Sequence, residues 1–161
     1  RTVSDEEQPQ MVETNIDLSK QPDPTGPDMV ITSFDPLVRE GNPQLEVKAT
    51  VKNQGYRPST DFFITFYASD DTTITRDDTP IGYYLIPNLK QGMEKKLTGY
   101  FPMDRMDPGS FYLGAIADPA NEIMEVSEDN NVKGSTSKVR IPDVKSSAFL
   151  VTTGSVPVVS V

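Results

Sequence analysis

The stretch from Gln44 to Asn53, QLEVKATVKN, alternates without a break. Leu45, Val47, Ala49 and Val51 fall on one side, and Glu46, Lys48, Thr50 and Lys52 on the other. A period of two is that of a strand with one buried and one wet face. The texture recurs along the chain. DMVITSFDP is β-branched and predicts a strand that stops at Asp35-Pro36. DFFITFYAS is the most aromatic run and reads as a central core strand. PIGYYLIPNL, MEKKLTGYFP and SFYLGAIAD follow, and NVKGSTSKVRIP reads as one more polar strand near a sheet edge. NQG and KQG mark turns between them. No segment sustains a 3.6-residue period, and a helix fits only as one or two turns over PANEIMEVSE.

About seven short strands, with turn signals every 8–15 residues or so, predict an all-β fold rather than βαβ units. The expected architecture is an antiparallel sandwich of immunoglobulin-like order, its two sheets burying FFITFY and FYLGAIA against each other. The 161-residue chain contains no Cys and no Trp, so such a core has neither a disulfide nor a buried indole and rests on packing.

Composition narrows function. The chain also lacks His, the commonest general base and transition-metal ligand. A Ser-His-Asp or Cys-His arrangement is impossible, and only carboxylate chemistry stays formally open. A formal net charge of −9 speaks against nucleic acid and anionic lipid. No apolar run approaches the roughly 18–20 residues of a membrane-crossing helix. The expectation is a non-enzyme without a resident cofactor, Ca²⁺ apart, that neither binds nucleic acid nor inserts into membranes. The chain begins with Arg1 rather than Met, which fits either removal of a signal peptide or a fragment.

Three regions follow. Residues 1–26 are an acidic, Pro-rich extension in which Val12, Thr14, Ile16 and Leu18 alternate with polar residues, as a strand would or as a disordered leader could by chance. Residues 27–142 hold the sandwich. Residues 143–161 form a tail with no charge from Ser146 onward.

Several motifs carry a resemblance. Asn53 and Gly55 form an Asn-x-Gly turn after a strand; Tyr67, Ser69 and Asp70 end the next; Asp78 and Gly82 follow, then Pro87, Leu89 and Gly92. The most specific block is Asp118, Pro119, Asn121, Glu125, Glu128, Asn130 and Asn131. In these the chain resembles the CARDB family, bacterial and archaeal modules named for cell adhesion. The resemblance implies an immunoglobulin-like sandwich, secreted or surface-anchored, without general catalytic activity.

Two loops are open to structural and metal-binding readings. In DPANEIMEVSEDNN, Asp118 and Asn121 suit Asx turns, Asn130 or Asn131 suits a positive φ, and Glu122, Glu125 and Glu128 would be solvated; the alternative is a Ca²⁺ loop, though without EF-hand spacing. In SDDTTITRDDTPIG, Asp70, Asp71, Asp77 and Asp78 either bind Ca²⁺ or sit in an exposed hairpin with Arg76 as counter-charge. Tyr56, Tyr83, Tyr84, Tyr100 and Tyr112 could line a sugar-binding face or share their rings with the core.

The tail AFLVTTGSVPVVSV breaks at Gly154-Ser155 and Pro157. It can fold back on its own sandwich, lead into further domains, or be donated to a neighbouring subunit. The last predicts a strand-exchange interface built from Val12, Ile16 and Leu18 at one end and Phe149, Val151, Val156 and Val158 at the other. The sequence reading is therefore an extracellular or cell-surface structural protein whose partner is itself, as a filament of exchanged strands, or another surface protein. The alternative is an accessory module gripping a glycan or surface protein through its loops.

Overall fold

The computed structural model describes residues 22–145, and they build a sandwich of two antiparallel sheets. The strands are β1 (Met29–Val38), β2 (Gln44–Asn53), β3 (Phe62–Ser69), β4 (Thr79–Ile86), β5 (Glu94–Pro102), β6 (Gly109–Ala117), β7 (Val132–Gly134) and β8 (Val139–Ile141). One sheet runs β1-β2-β5; the other runs β4-β3-β6-β7, with β8 also paired to β6.

The alternation read in β2 is realised: Leu45, Val47, Ala49 and Val51 are buried. Phe62, Ile64 and Phe66 of β3 and Leu113, Ala115 and Ala117 of β6 face them from the other sheet. Four rings tie the sheets together. Phe66 lies 6.2 Å from Phe34 of β1, 5.4 Å from Phe101 of β5 and 6.3 Å from Tyr84 of β4, between centroids. Stacked, tilted and edge-on aromatic contacts of this kind do the packing that a disulfide and Trp do elsewhere. The core continues past β8, where Ile141 and Val144 are both buried.

Four expectations are corrected. β1 does not stop at Asp35-Pro36: Pro36 pairs opposite Val47 and the strand runs to Val38. Because β1 ends its sheet, the missing N–H of Pro36 removes no ladder bond. NVKGSTSKVRIP is two strands, not one. β7 pairs with Gly114–Ile116 and β8 with Gly109–Phe111, and Ser135, whose Oγ accepts from Leu113 N–H at 3.1 Å, turns the chain between them. PANEIMEVSE forms no helical turn. Among the described residues the helical geometry is a single 3-10 turn at Met103–Arg105, after β5, which no periodicity announced.

The Pro-rich run before β1 is a docked turn. Gly26 N–H donates to Asp23 O at 2.9 Å, while Asp23 N–H donates to Glu125 O at 2.8 Å and Val126 N–H to Pro27 O at 2.9 Å. Arg57 pairs with the Asp23 carboxylate. The Thr25 N–H, which the same carboxylate accepts, holds the Asp23 pKa below its ordinary value. The strand expected over Val12–Leu18 and the whole uncharged tail, including Phe149, Val151, Val156 and Val158, lie outside the described residues.

Candidate functional site

Three places hold the chemically distinctive residues: a buried polar corner, an acidic turn and one open sheet edge.

The corner starts at Asn53, the fully buried last residue of β2. Its Oδ1 accepts from Asp28 N–H at 3.0 Å and Gly55 N–H at 2.9 Å, and its Nδ2 donates to Arg57 O at 2.8 Å and Leu89 O at 2.9 Å. One amide thus satisfies four backbone groups from three segments. Gly55 belongs here for a steric reason: a Cβ would stand 2.5 Å from Gly26 O and 2.6 Å from Asp28 N. Asp28 extends the network, accepting from Gln54 Nε2 at 2.9 Å and Asn130 Nδ2 at 3.0 Å.

The loop from Asp118 to Asn131 closes the other side. The Asp118 carboxylate accepts from Glu122 N–H at 3.1 Å and Ile123 N–H at 2.9 Å. Positive φ falls at Asp118 (51°) and Asn121 (54°), not at Asn130 or Asn131 as anticipated. Asx residues tolerate this region because short polar side chains bond locally to the backbone.

Glu125 is the larger correction. It is not solvated but fully buried, with Oε2 accepting from Met29 N–H and Oε1 from Asn131 Nδ2. Burial pushes its pKa up to about 8, against the lowering effect of those two donors and with help from the Glu128 and Asp118 charges. Burial also raises Glu128, whose carboxylate accepts from Glu125 N–H at 2.8 Å.

The acidic turn between β3 and β4 holds Asp70, Asp71, Asp77 and Asp78. Asp71 accepts from Thr73 N–H at 3.0 Å and Asp78 from Thr75 N–H at 2.7 Å, so both brace the turn. Asp70, Asp77 and Asp78 line a wide cleft with Arg105 and Asp107. No three carboxylates are arranged to hold a metal ion among the described residues. Arg76 leaves the turn, with Nη1 donating to Pro119 O at 3.0 Å. Ile74 folds inward and is buried. The turn is thus exposed along most of its length, as a hairpin connection would be, and is anchored by Ile74, with Arg76 reaching Pro119 O rather than a turn aspartate.

The edge is β4. Among the described residues it ends the larger sheet, and from Thr79 to Leu89 the chain carries no charge. On its outer face Leu85 stands opposite Phe63 and Tyr83 opposite Thr65. Phe63, Tyr83 and Leu85 are 45%, 66% and 54% exposed, and the Phe63 and Tyr83 rings meet edge-on at 5.5 Å. A cleft of about 250 Å³ continues this face between Phe63, Thr65, Tyr83, Pro119, Ala120 and Glu122. Of the other tyrosines, Tyr84 packs on Phe66 and Phe101, and Tyr112 lies under Lys138 Nζ at 5.8 Å. Tyr56 and Tyr100 stand mostly in solvent, which burial in the core did not predict.

The polar corner and the Asp118–Asn131 loop contain several of the residues on which the family resemblance rests, the most specific block among them, and the family match covers residues 26–135. The chain belongs to the CARDB family. The crystal structure of a CARDB domain from Pyrococcus furiosus, in complex with di-metal ions, is similar at 22% identity and a TM-score of 0.55, covering 79% of this chain and 98% of that one. A domain of a candidate cell-surface protein from Methanosarcina acetivorans is 24% identical with a TM-score of 0.55, covering 71% and 90%. The solution structure of the Pyrococcus furiosus domain gives 21% and 0.54, over 73% and 97%. No curated protein matches the chain.

The CARDB motifs of this chain are thus residues of closure. Asn53, Gly55 and Leu89 lock the end of β2, and Asp118, Asn121, Glu125, Glu128 and Asn131 lock the loop after β6. Sequence reading found these residues but missed Met29 as partner of Glu125, Ile74 as a core residue and β4 as the exposed edge. The last had a readable signal: an uncharged run beside the Lys95-Lys96 pair of β5.

Proposed function

We propose that this CARDB protein is an extracellular structural and adhesion subunit that associates with copies of itself through its terminal segments, one chain adding a strand to the sandwich of the next. The reading is supported by an edge strand, β4, that is uncharged among the described residues, in a chain of net charge −9 whose sequence from Ser146 to Val161 is also uncharged and β-prone. Backbone hydrogen bonds along an added strand supply affinity, and alternate side chains supply register. A head-to-tail contact of this kind does not close on itself and yields a filament. Outer-surface placement is supported by the likeness to the Methanosarcina acetivorans protein.

Light scattering of the full chain across a concentration series tests this, beside the chain without Ser146–Val161. The reading predicts growing mass for the first and monomers for the second. Equal monomers would sink it.

A second reading, a loop-binding module stiffened by Ca²⁺, is favoured by one observation. The side-chain oxygens of Asn130 and Asn131 are buried without a hydrogen-bond partner beside the Asp28, Asp118, Glu125 and Glu128 carboxylates. Carbonyl and carboxylate oxygens are the ligands a hard cation takes, although no three carboxylates are arranged to hold one among the described residues. Calorimetric titration with Ca²⁺ tests it. Heat of binding at one site together with a raised Tm supports it, and neither effect up to millimolar Ca²⁺ removes it.

A further inference from the structure

The sandwich offers several strand edges, and they are not equivalent. β5 ends the smaller sheet and presents Glu94, Lys95 and Lys96, all exposed. Charged side chains, Lys above all, are the common means by which natural edges refuse an incoming strand. β1, at the other end of that sheet, carries Asp35, Pro36 and a bulge between Ile31 and Ser33, and it lies against β6, β7 and β8. β7 and β8 are three residues each. β4 is eight residues long, without charge, and its one irregularity, the bulge opposite Phe66 and Tyr67, lies near its start at Pro80. From Gly82 to Ile86 its register with β3 is unbroken. There the exposed face carries Tyr83 and Leu85 with Phe63 behind them, an apolar ladder that stops at the sheet edge.

We propose that β4, over Gly82–Ile86, is the acceptor edge for the Ser146–Val161 segment of a second copy of this chain. The inference rests on the self-association reading and names its surface. Charge decides among the edges: on β4 an added strand desolvates no charged side chain of the edge, whereas on β5 it would strip water from Lys95 and Lys96. Length agrees, since AFLVTT and VPVVSV each match the five-residue run of unbroken β4 pairing. The donor then alternates as a strand must. Phe149 and Val151, or Val156 and Val158, would share the face on which Tyr83 and Leu85 stand, extending the ladder by one rung.

The test uses the full chain. Hydrogen exchange is compared between the natural sequence and a Val151→Lys/Val158→Lys variant, whose changes lie in the donor. At assembling concentrations the Gly82–Ile86 amides should exchange roughly tenfold or more slowly in the natural chain, with β5 amides unchanged. A second variant, Tyr83→Lys/Leu85→Lys, alters exposed side chains and places the natural guard on β4. It should lose the assemblies, whereas Tyr100→Lys on β5 should keep them. Assembly that survives the β4 lysines, with no slowing at Gly82–Ile86, overturns the acceptor and leaves self-association standing. A natural chain that is monomeric at every concentration overturns both. A monomer in which β4 is slowed shows the tail seated on its own sandwich, and overturns the second copy as donor.

Discussion

Met29, the first residue of β1, donates its backbone N–H to Oε2 of Glu125, 96 residues later in the chain. The start of the first strand and the end of the last long loop are thereby held by one buried carboxyl, whose other oxygen accepts from Asn131. That carboxyl titrates far from its ordinary value.

The sign of its effect on stability follows from the raised pKa. Below the ordinary value of 4.5 the group is protonated in folded and unfolded chains alike. Between 4.5 and about 8 the folded chain alone keeps the proton, so stability falls as pH rises through that window and levels off above it. Glu128, raised by burial, acts in the same direction. Thermal unfolding between about pH 5 and pH 9 should show Tm declining, and Glu125→Gln should flatten the decline. Parallel curves for the two proteins would contradict the assignment.

Asn53→Ala should be among the most damaging single changes outside the aromatic core. It leaves the N–H groups of Asp28 and Gly55 and the carbonyls of Arg57 and Leu89 without their side-chain partner. Leu89 O keeps its bond from Ser59 N–H at 2.9 Å; each of the other groups so stranded costs about 1–3 kcal/mol, less than additively, for an expected loss of about 2–4 kcal/mol. Asn53→Asp should also destabilise, since a carboxylate offers no donor to the two carbonyls. Urea unfolding reads both. A loss under about 1 kcal/mol for Asn53→Ala would show that water replaces the amide.

The acidic turn is held down by Ile74, which crosses β6 where Gly114 leaves room: a Cβ there would stand 2.5 Å from Ile74 Cγ1. Gly114→Ala should therefore destabilise by about 1–3 kcal/mol. The same change in an Ile74→Ala background should cost clearly less, because the colliding atoms are gone. Additive losses in the double-mutant cycle would place the strain elsewhere.

What the sequence disclosed, and what it hid, divides along physical lines. β2 was legible because one face is core and the other mostly open, so the pattern carries the structure, although Glu46 on the polar face is buried. β1 was misjudged because Pro36 ends a strand only where its N–H is needed, and edge position cannot be seen in one strand alone. β7 and β8 were fused because both are short and polar, and only their shared partner β6 separates them. The loop after β6 was read as solvated because Glu is usually exposed. Glu125 is buried by tertiary hydrogen bonds that sequence spacing does not encode. The aspartates of the turn suggested a cation by proximity, whereas Asp71 and Asp78 are occupied by backbone N–H groups of their own turn. The two ends that raised the question of assembly lie outside the described residues: Val12–Leu18 alternates in sequence but carries Glu13 and Asp17, and only the segment from Ser146 onward is without charge.

Strand addition between copies is most directly tested by cross-linking, for which this chain is well suited because it contains no Cys. Two full-length variants are mixed and oxidised: Leu85→Cys, and in turn Phe149→Cys, Val151→Cys, Val156→Cys or Val158→Cys. A disulfide requires Cα atoms about 4.4–6.8 Å apart, so it reports adjacency of neighbouring strands. The account predicts a mixed, cross-linked dimer with at least one of the four tail positions, and a far weaker one when Leu85→Cys is replaced by Tyr100→Cys on β5. No mixed dimer at any tail position, or a bond that forms only within one chain carrying both cysteines, would contradict it.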